Sequence, residues 1–448
     1  MAILALRLGG RFLKQKSYQK MSHFLIAICI ASPTMAADFK VLAGHGGPVM
    51  GARIAKDGQT ALTASFDNSV GFWSLGSDDV RWLEGHEAAV KSVVYLSDTA
   101  AASSGDDFDI ILWDLGEGGG LRARLEGHKG QVNVLAVSPD GARLASASWD
   151  GSVGIWDLAN ASNLHLMTGH ESSVSDVAFM PSGDQVVSAS ADGTIRVWDV
   201  ETGAETRILV QHGFGVNTLL MGDTWLAYGA VDGGTRVLDL ATDAELADLT
   251  LDRRPILSMA RAPDGTEIAV GDGQGFVMTV ATVGWKITGD YRAAANGPVW
   301  ALAYTADSKS LLAGGIDDAA YIWPAHHKLD APIMATAKRG FLRDPAKMSN
   351  GERQFRRKCS VCHSLADDGQ RRAGPTLAGL FGRPAGSVPG YIYSDTVQNL
   401  GIDWTEETID QLFDIGPDHF IPGSKMPMQR ITRPEDRRDL IAYLRDNT

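Results

Sequence analysis

Cysteine is scarce in this chain: three among 448 residues, at positions 29, 359 and 362. A domain stapled by several disulfides is excluded, since such a framework needs at least two pairs. Basic charge is also in deficit, with 41 Lys and Arg against 54 Asp and Glu and a formal net charge of −13. The deficit is uneven. Residues 346–448 hold 14 basic and 14 acidic side chains, whereas residues 37–345 hold 22 basic and 40 acidic, a net of −18. Nucleic-acid binding depends on basic surface that neutralises phosphates, so nucleic acid is excluded as a partner. Long apolar runs are missing as well. The one that stands out, Phe24 to Ala31 (FLIAICIA), falls far short of the roughly twenty residues that span a bilayer.

That short run has a meaning of its own. The first twenty residues carry Arg7, Arg11, Lys14, Lys16 and Lys20 without an acid, the apolar run follows, and small residues come next in SPTMAAD. This is the order of a secretory signal peptide, expected over residues 1–36 with cleavage after Ala36 and export to the periplasm. The leader is long, and Met21 is an alternative start. Cys29 departs with it, and Ile28 before it is bulkier than a lipid-modified cysteine allows. Cys359 and Cys362 are then the only cysteines of the mature chain.

Residues 37–323 are dominated by a repeat. Gly-His recurs at Gly44-His45, Gly85-His86, Gly127-His128 and Gly169-His170, with Gln211-His212 as a degenerate fifth copy. Trp73, Trp113, Trp156, Trp198 and, in the fifth unit, Leu238 follow, and six residues before each lies Asp67, Asp107, Asp150, Asp192 or Asp232. The same spacing links Asp272 to Met278 and Asp317 to Trp323, making seven units. The fourth unit alternates apolar and polar residues over Val174–Met180, Gln185–Ser190, Thr194–Val200 and Glu205–Val210, with turn residues between. Four short strands per repeat make a propeller blade.

His170, Ser190, Asp192 and Trp198 resemble the hydrogen-bonded chain of the WD-repeat family, and His45, Ser65, Asp67, Trp73 and His128, Ser148, Asp150, Trp156 form matching sets. Gly105, Ala230 and Gly315 replace the serine elsewhere, and unit six lacks both His and Trp. The resemblance implies a seven-bladed all-β propeller. Asp38 to Leu42 is expected to supply the strand missing from the last blade, closing the ring and removing its sheet edges. The repeated histidines are assigned to blade structure, and His326-His327 supplies only half a zinc coordination shell. Phe66 and Trp149, just before the turn aspartate, are expected on a partner-binding ring face.

Residues 324–343 read as a linker, and Asp344-Pro345 as a helix start. Beyond them lies Lys358–Leu365, KCSVCHSL. Its two cysteines and histidine could attach a haem, hold half a zinc site or form a redox dithiol. Zinc needs four ligands and finds no third mature cysteine. A dithiol of the thioredoxin kind needs a βαβ setting that is absent. Cys-x-x-Cys-His in an exported chain is the attachment motif of haem c, in which two thiols bond the vinyl groups and His363 ligates the iron.

Gly351 and Phe355, Gly374-Pro375, GLFGRPAGSVPGYIYS (379–394), GIDWTEET (401–408), PGSKMP (422–427) and DLIAYL (439–444) follow in order. Together they make residues 344–448 resemble a class I cytochrome c of the mitochondrial type, an all-α domain with one covalent haem c. The resemblance implies Met426 as second iron ligand, with Met428 the nearby competitor, and Pro375 as carbonyl acceptor for the His363 ring. It implies Arg383, Tyr393 and Trp404 beside the haem propionates, and Ser424 where a hydroxyl is usual. Arg356, Arg357, Lys358, Arg371, Arg372 and Lys425 are expected around the haem edge, steering acidic redox partners. Gly351 is expected to let the first helix approach the last, which a box of Thr432 and Glu435 would cap. Two features depart from the family. Leu412 stands where a tyrosine often supports the methionine sulfur, and one residue is added between Asp414 and Phe420, which together imply a more exchangeable Met426 bond.

The function expected from this arrangement is periplasmic electron transfer, with the propeller as docking scaffold for a redox partner protein. No residue constellation requires catalysis. The alternative is an oxidoreductase whose propeller holds substrate or a second cofactor while the haem relays electrons. A third reading, a haem sensor that responds when Met426 dissociates, rests on Leu412.

Overall fold

The structure is a computed structural model. It describes residues 40–77, 79–251, 255–294, 297–326, 348–360, 362–367, 369, 372–393, 395–421, 426 and 430–448. Among these residues the N-terminal part contains 28 strands arranged as seven four-stranded antiparallel sheets, the blades of a propeller. The fourth blade consists of β14 (Val174–Phe179), β15 (Gln185–Ser190), β16 (Thr194–Asp199) and β17 (Glu205–Gln211), hydrogen-bonded in that order. The expected strands match these bounds to within a residue. β15 is buried almost throughout and β17 is largely exposed, so the apolar residues concentrate in the middle of each blade, where neighbouring sheets pack face to face.

The ring closes as the sequence pattern implied. β1 (Lys40–Ala43) pairs antiparallel with β28 (Ala319–Pro324), Lys40 opposite Ile322 and Ala43 opposite Ala319, and Leu42 is fully buried. Side chains also stitch adjacent blades together. Asp176 accepts from the Leu219 amide at 2.8 Å, and Asn133 and Asn217 donate to the Val174 and Ile256 carbonyls at 2.9 Å.

The polar chain inside each blade differs from expectation in one member. In blade one Trp73 Nε1 donates to Thr63 Oγ1 at 2.7 Å, the same hydroxyl lies 2.7 Å from His45 Nε2, and His45 Nδ1 lies 3.0 Å from Asp67 Oδ2. A carboxylate only accepts, so Nδ1 carries the proton and Nε2 accepts from the hydroxyl, leaving each group of the chain a partner. Ser103, Ser146 and Ser188 take the central place in blades two to four. Ser65, Ser148 and Ser190 cap the turn instead, accepting from the amides of Asp67, Asp150 and Asp192. Blade two therefore has a complete chain despite Gly105. The departure in the later blades is real: Trp323 donates to Tyr291 OH at 3.0 Å, and His212 Nε2 lies 3.1 Å from Asp232 and 3.4 Å from Arg236 Nη1, with no hydroxyl in the chain among the described residues.

Burial alone would raise the Asp67 carboxyl, but hydrogen bonds from His45, Ser69 and the Gly46 amide outweigh it and hold the group at about 2. Asp107, Asp150, Asp192 and Asp232 are lowered in the same way, which makes these aspartates ionised anchors for the turn in blades one to five.

The C-terminal part has five helices among the described residues: α1 (Asn350–Lys358), α2 (Asp395–Gln398), α3 (Glu406–Ile415), α4 (Pro417–Phe420) and α5 (Pro434–Asn447). α1 begins later than Asp344-Pro345 suggests; Ser349 is its cap, its hydroxyl accepting from the Glu352 amide. Residues 344 and 345 lie outside the described residues. The capping box expected at Thr432 and Glu435 is absent from α5, which follows Arg433 with Pro434 in its first turn. A box forms at α3 instead, between Thr405 and Thr408. Gly351 does bring α1 onto α5, since a Cβ there would overlap the Asp439 carbonyl and the Tyr443 side chain. Among the described residues no helix is long and apolar enough to cross a membrane.

Candidate functional site

The amphipathic face of α1 carries Phe355 into a core with Leu440, Ile441 and Leu444 of α5, which fixes where the helix ends. Cys359 is its C-cap and its amide bonds the Phe355 carbonyl at 2.8 Å. The chain then turns on itself: the amides of Cys362 and His363 both bond the Cys359 carbonyl, at 3.0 and 2.9 Å. This turn aims two thiols and an imidazole into one cavity. Met426 reaches the same cavity, whose other walls include Leu377, Leu380, Ile409, Leu412, Phe413, Ile421 and Leu444.

His363 Nδ1 donates to the Pro375 carbonyl at 2.8 Å. Gly374 packs flat against the ring, where a Cβ would overlap it. Among the described residues Nε2 makes no hydrogen bond, so the imidazole is oriented by one nitrogen and offers the other. Burial shifts its pKa down, with Arg383 adding to the effect against the Pro375 bond. The neutral ring is the form that ligates a metal.

The two cysteines are not joined to each other. Burial pushes the Cys359 thiol up to about 12 and the Cys362 thiol up to about 11. A dithiol that works by exchange needs a lowered pKa, so this setting is the wrong one for redox exchange.

The remaining sequence-based candidates fall into two groups. Arg383, Tyr393 and Trp404 all line the cavity. Arg383 is held by the Ala378 and Thr376 carbonyls at 2.6 and 2.8 Å, and the Trp404 and Arg383 backbones are hydrogen-bonded to each other. Ser424, with Arg371, Lys425 and Met428, lies outside the described residues. Arg356 differs from the rest of the basic set in bonding Glu352 along its own helix at 3.2 Å. Leu412 is buried on the cavity wall with no hydroxyl to offer Met426.

Sequence reasoning missed two contributors. Tyr391 stands edge-on to Tyr393 with centroids 4.7 Å apart and donates to the Ala373 carbonyl; the alternation Tyr391-Ile392-Tyr393 was the available signal. The second is a wall supplied by the propeller, with Phe66, Asn68 and Glu87 among its residues.

Two buried thiols, an oriented neutral imidazole, a thioether and apolar walls suit an iron porphyrin attached through its vinyl groups, and this donor set fits haem c. Among the described residues there is no cluster of three or more His, Cys, Asp and Glu able to hold a metal ion. His326 is an exposed neighbour of Glu267 at 3.6 Å, and His327 lies outside the described residues.

Comparison with known proteins finds both families in the chain. The family model "WD domain, G-beta repeat" matches residues 38–74, 78–114, 119–157 and 161–199, and the model "Cytochrome c" matches residues 348–448. The chain is similar to the cytochrome c of Gibberella zeae, 41% identical over 101 residues that make up 22% of this chain and 94% of that protein. It is similar also to those of Sesamum indicum and Cannabis sativa, 39% and 38% identical over 104 residues, in each case 23% of this chain and 93% of the other.

Proposed function

Since the chain belongs to the cytochrome c family through its C-terminal domain, joined to a seven-bladed WD-repeat propeller, we propose that it is a periplasmic electron carrier whose propeller recruits the redox partner. Haem electron transfer follows from the family, and the compartment and the recruiting role complete the proposal. The haem supplies one-electron redox chemistry when bound. In this reading Cys359 and Cys362 tether it, His363 and Met426 are its iron ligands, and Pro375 fixes the tautomer of His363. Arg383, Tyr393 and Trp404 would face the propionates, whose charge would be costly to bury alone, and Ser424 stands where the family usually has a hydroxyl.

The observation that carries the reading is the convergence of both thiols, the oriented imidazole and Met426 on one apolar cavity. Supporting it, the repeated propeller histidines are engaged by their own blades, His86 for instance by Asp107 at 2.8 Å and Ser103 at 2.7 Å. Export is supported by the leader at residues 1–36 and by the need for both cysteines to reach a compartment where haem is attached. With Leu412 unable to brace the thioether, the Met426–iron bond is expected to exchange more readily with pH than in cytochromes that place a tyrosine there.

The test is purification of the full chain from its native periplasm. One haem c per polypeptide, a far-red sulfur-to-iron band and a co-purifying oxidoreductase or oxidase that is lost when the propeller is deleted are expected. A second chromophore would favour the oxidoreductase alternative and sink the scaffold reading. Recovery of the protein from the cytoplasm without haem would overturn both.

A further inference from the structure

The cavity that holds Cys359, Cys362, His363 and Met426 is not walled by the cytochrome domain alone. Phe66 and Asn68 of blade one, and Glu87, Ala88, Ala89 and Asp106 of blade two, complete it. Asn68 Nδ2 donates to the Ala373 carbonyl at 3.2 Å, and Arg372 Nη1 donates to the Gly46 carbonyl at 3.4 Å. The propeller also provides its own control, because the same loop recurs in every blade. After the repeated histidine, Gly46, Gly47 and Pro48 in blade one and Ala88 and Ala89 in blade two are buried, whereas Glu171 and Ser172 in blade four are exposed. The residue before the turn aspartate is half-buried as Phe66 in blade one, but Trp149 in blade three is 61% exposed. Relative to blades three and four, the corner that lines the cavity is thus shielded.

We propose that the corner of blades one and two is a docking site for this chain's own cytochrome domain at the mouth of its haem cavity, and that this closed state must open before a protein-sized redox partner reaches that edge. It builds on the scaffold reading above, with the chain itself as the first occupant of the scaffold. Charge complementarity favours the closed state: Lys358 and Arg372 come from a domain with balanced charge, and Glu87 and Asp106 from one that carries −18 over residues 37–345. The bonds from Asn68 and Arg372 are long, and beside the contact a second cavity is lined by the polar residues Glu84, His86, Ser364, Asp367 and Arg372. Small polar contacts between domains hold weakly and loosen as salt screens their charges.

The experiment uses the haem-loaded full chain and a photogenerated neutral lumiflavin radical, which gives one electron to ferric haem and releases a proton as it returns to oxidised flavin. Because the reagent is uncharged, salt affects the rate only through exposure of the haem edge. The second-order rate constant is expected to rise about three- to ten-fold between low salt and 0.5 M salt. Glu87→Lys, which keeps its backbone bond to Asp107, and Arg372→Glu, from the other side, should each bring the low-salt rate to the high-salt value. Hydrogen exchange of amides 86–89 should accelerate in parallel, with the equivalent amides 170–173 unchanged. Rates independent of salt and equal in all three proteins, with amides 86–89 unaffected by salt or substitution, would overturn the proposal. The exchange measurement needs neither a partner nor a known compartment, so it succeeds or fails separately from the scaffold reading.

Discussion

Buried histidines occur in both parts of this molecule and do opposite things. His45, His86, His128 and His170 each have both ring nitrogens engaged, one by an aspartate and one by a hydroxyl. His363 is held by one nitrogen, and its other faces an apolar cavity. The propeller closes its hydrogen-bond chains to make stability, while the cytochrome domain leaves one open to make a ligand. Residue type alone therefore says little about a histidine; what matters is how many of its nitrogens the local chain has already satisfied.

That contrast can be broken most severely from the cytochrome side. Replacing Cys359 and Cys362 together by serine should abolish covalent haem, read as loss of haem stain on a denaturing gel, while the propeller still melts cooperatively. Gly351→Val comes next. It forces α1 away from Asp439 and Tyr443 of α5, and should destabilise the cytochrome domain by about 3 kcal/mol in denaturant unfolding followed at the haem band. The propeller transition should not move.

The propeller side gives smaller effects. His128→Ala strands Asp150 and Ser146 without their shared partner, costing about 2 kcal/mol of propeller stability, with an unaltered haem spectrum; a changed spectrum would refute the division of roles. The smallest effect is in acid. Because Asp67 titrates lower in the folded chain than unfolded, its contribution is complete above the unfolded value near 4 and is lost as pH falls towards about 2. Blade one should lose about 2 kcal/mol across that window, and blades two to four, whose Asp107, Asp150 and Asp192 are lowered likewise, should weaken with it, visible as faster amide exchange in Gly44–Ser69 before exchange rises in the cytochrome helices.

Much of this was legible because both parts advertise themselves by spacing. Aspartates six residues ahead of a Trp or Leu define blades one to five and seven, and Cys359, Cys362 and His363 define the site; in blade six the spacing misled, since the register puts Val280 rather than Met278 in the Trp place and Asp272 in that of the turn serine. The blade hydroxyl was misplaced because Ser65, Ser148 and Ser190 sit beside the aspartate and look like its natural partners. Thr63, Ser103, Ser146 and Ser188 keep a stricter rule, ten residues before the Trp in all four blades, since pairing of adjacent strands sets them opposite the indole. The start of α1 was misjudged for a different reason: Asp344-Pro345 and Ser349 are both competent caps, and a local signal cannot rank them. The charge of −18 on the propeller beside the basic set of the cytochrome domain pointed to docking of one on the other, or to a basic partner, but not to the residues that meet, because a contact between Asn68 and Ala373 across 305 residues leaves no local pattern.

The pairing of β1 with β28 also has a consequence in time. Lys40 meets Ile322, so β1 waits for its partner strand until more than 280 residues have followed it in synthesis. Blades one to six can assemble as they emerge, but the loop that closes the ring carries the largest entropy cost of the fold and is paid last. During that interval β1 is the unpaired strand, and β28 emerges shortly before Cys359 and Cys362, so completion of the ring and arrival of the haem-binding cysteines fall at the same late stage of biogenesis. A delay in either would leave the other's half-finished surface exposed to proteases.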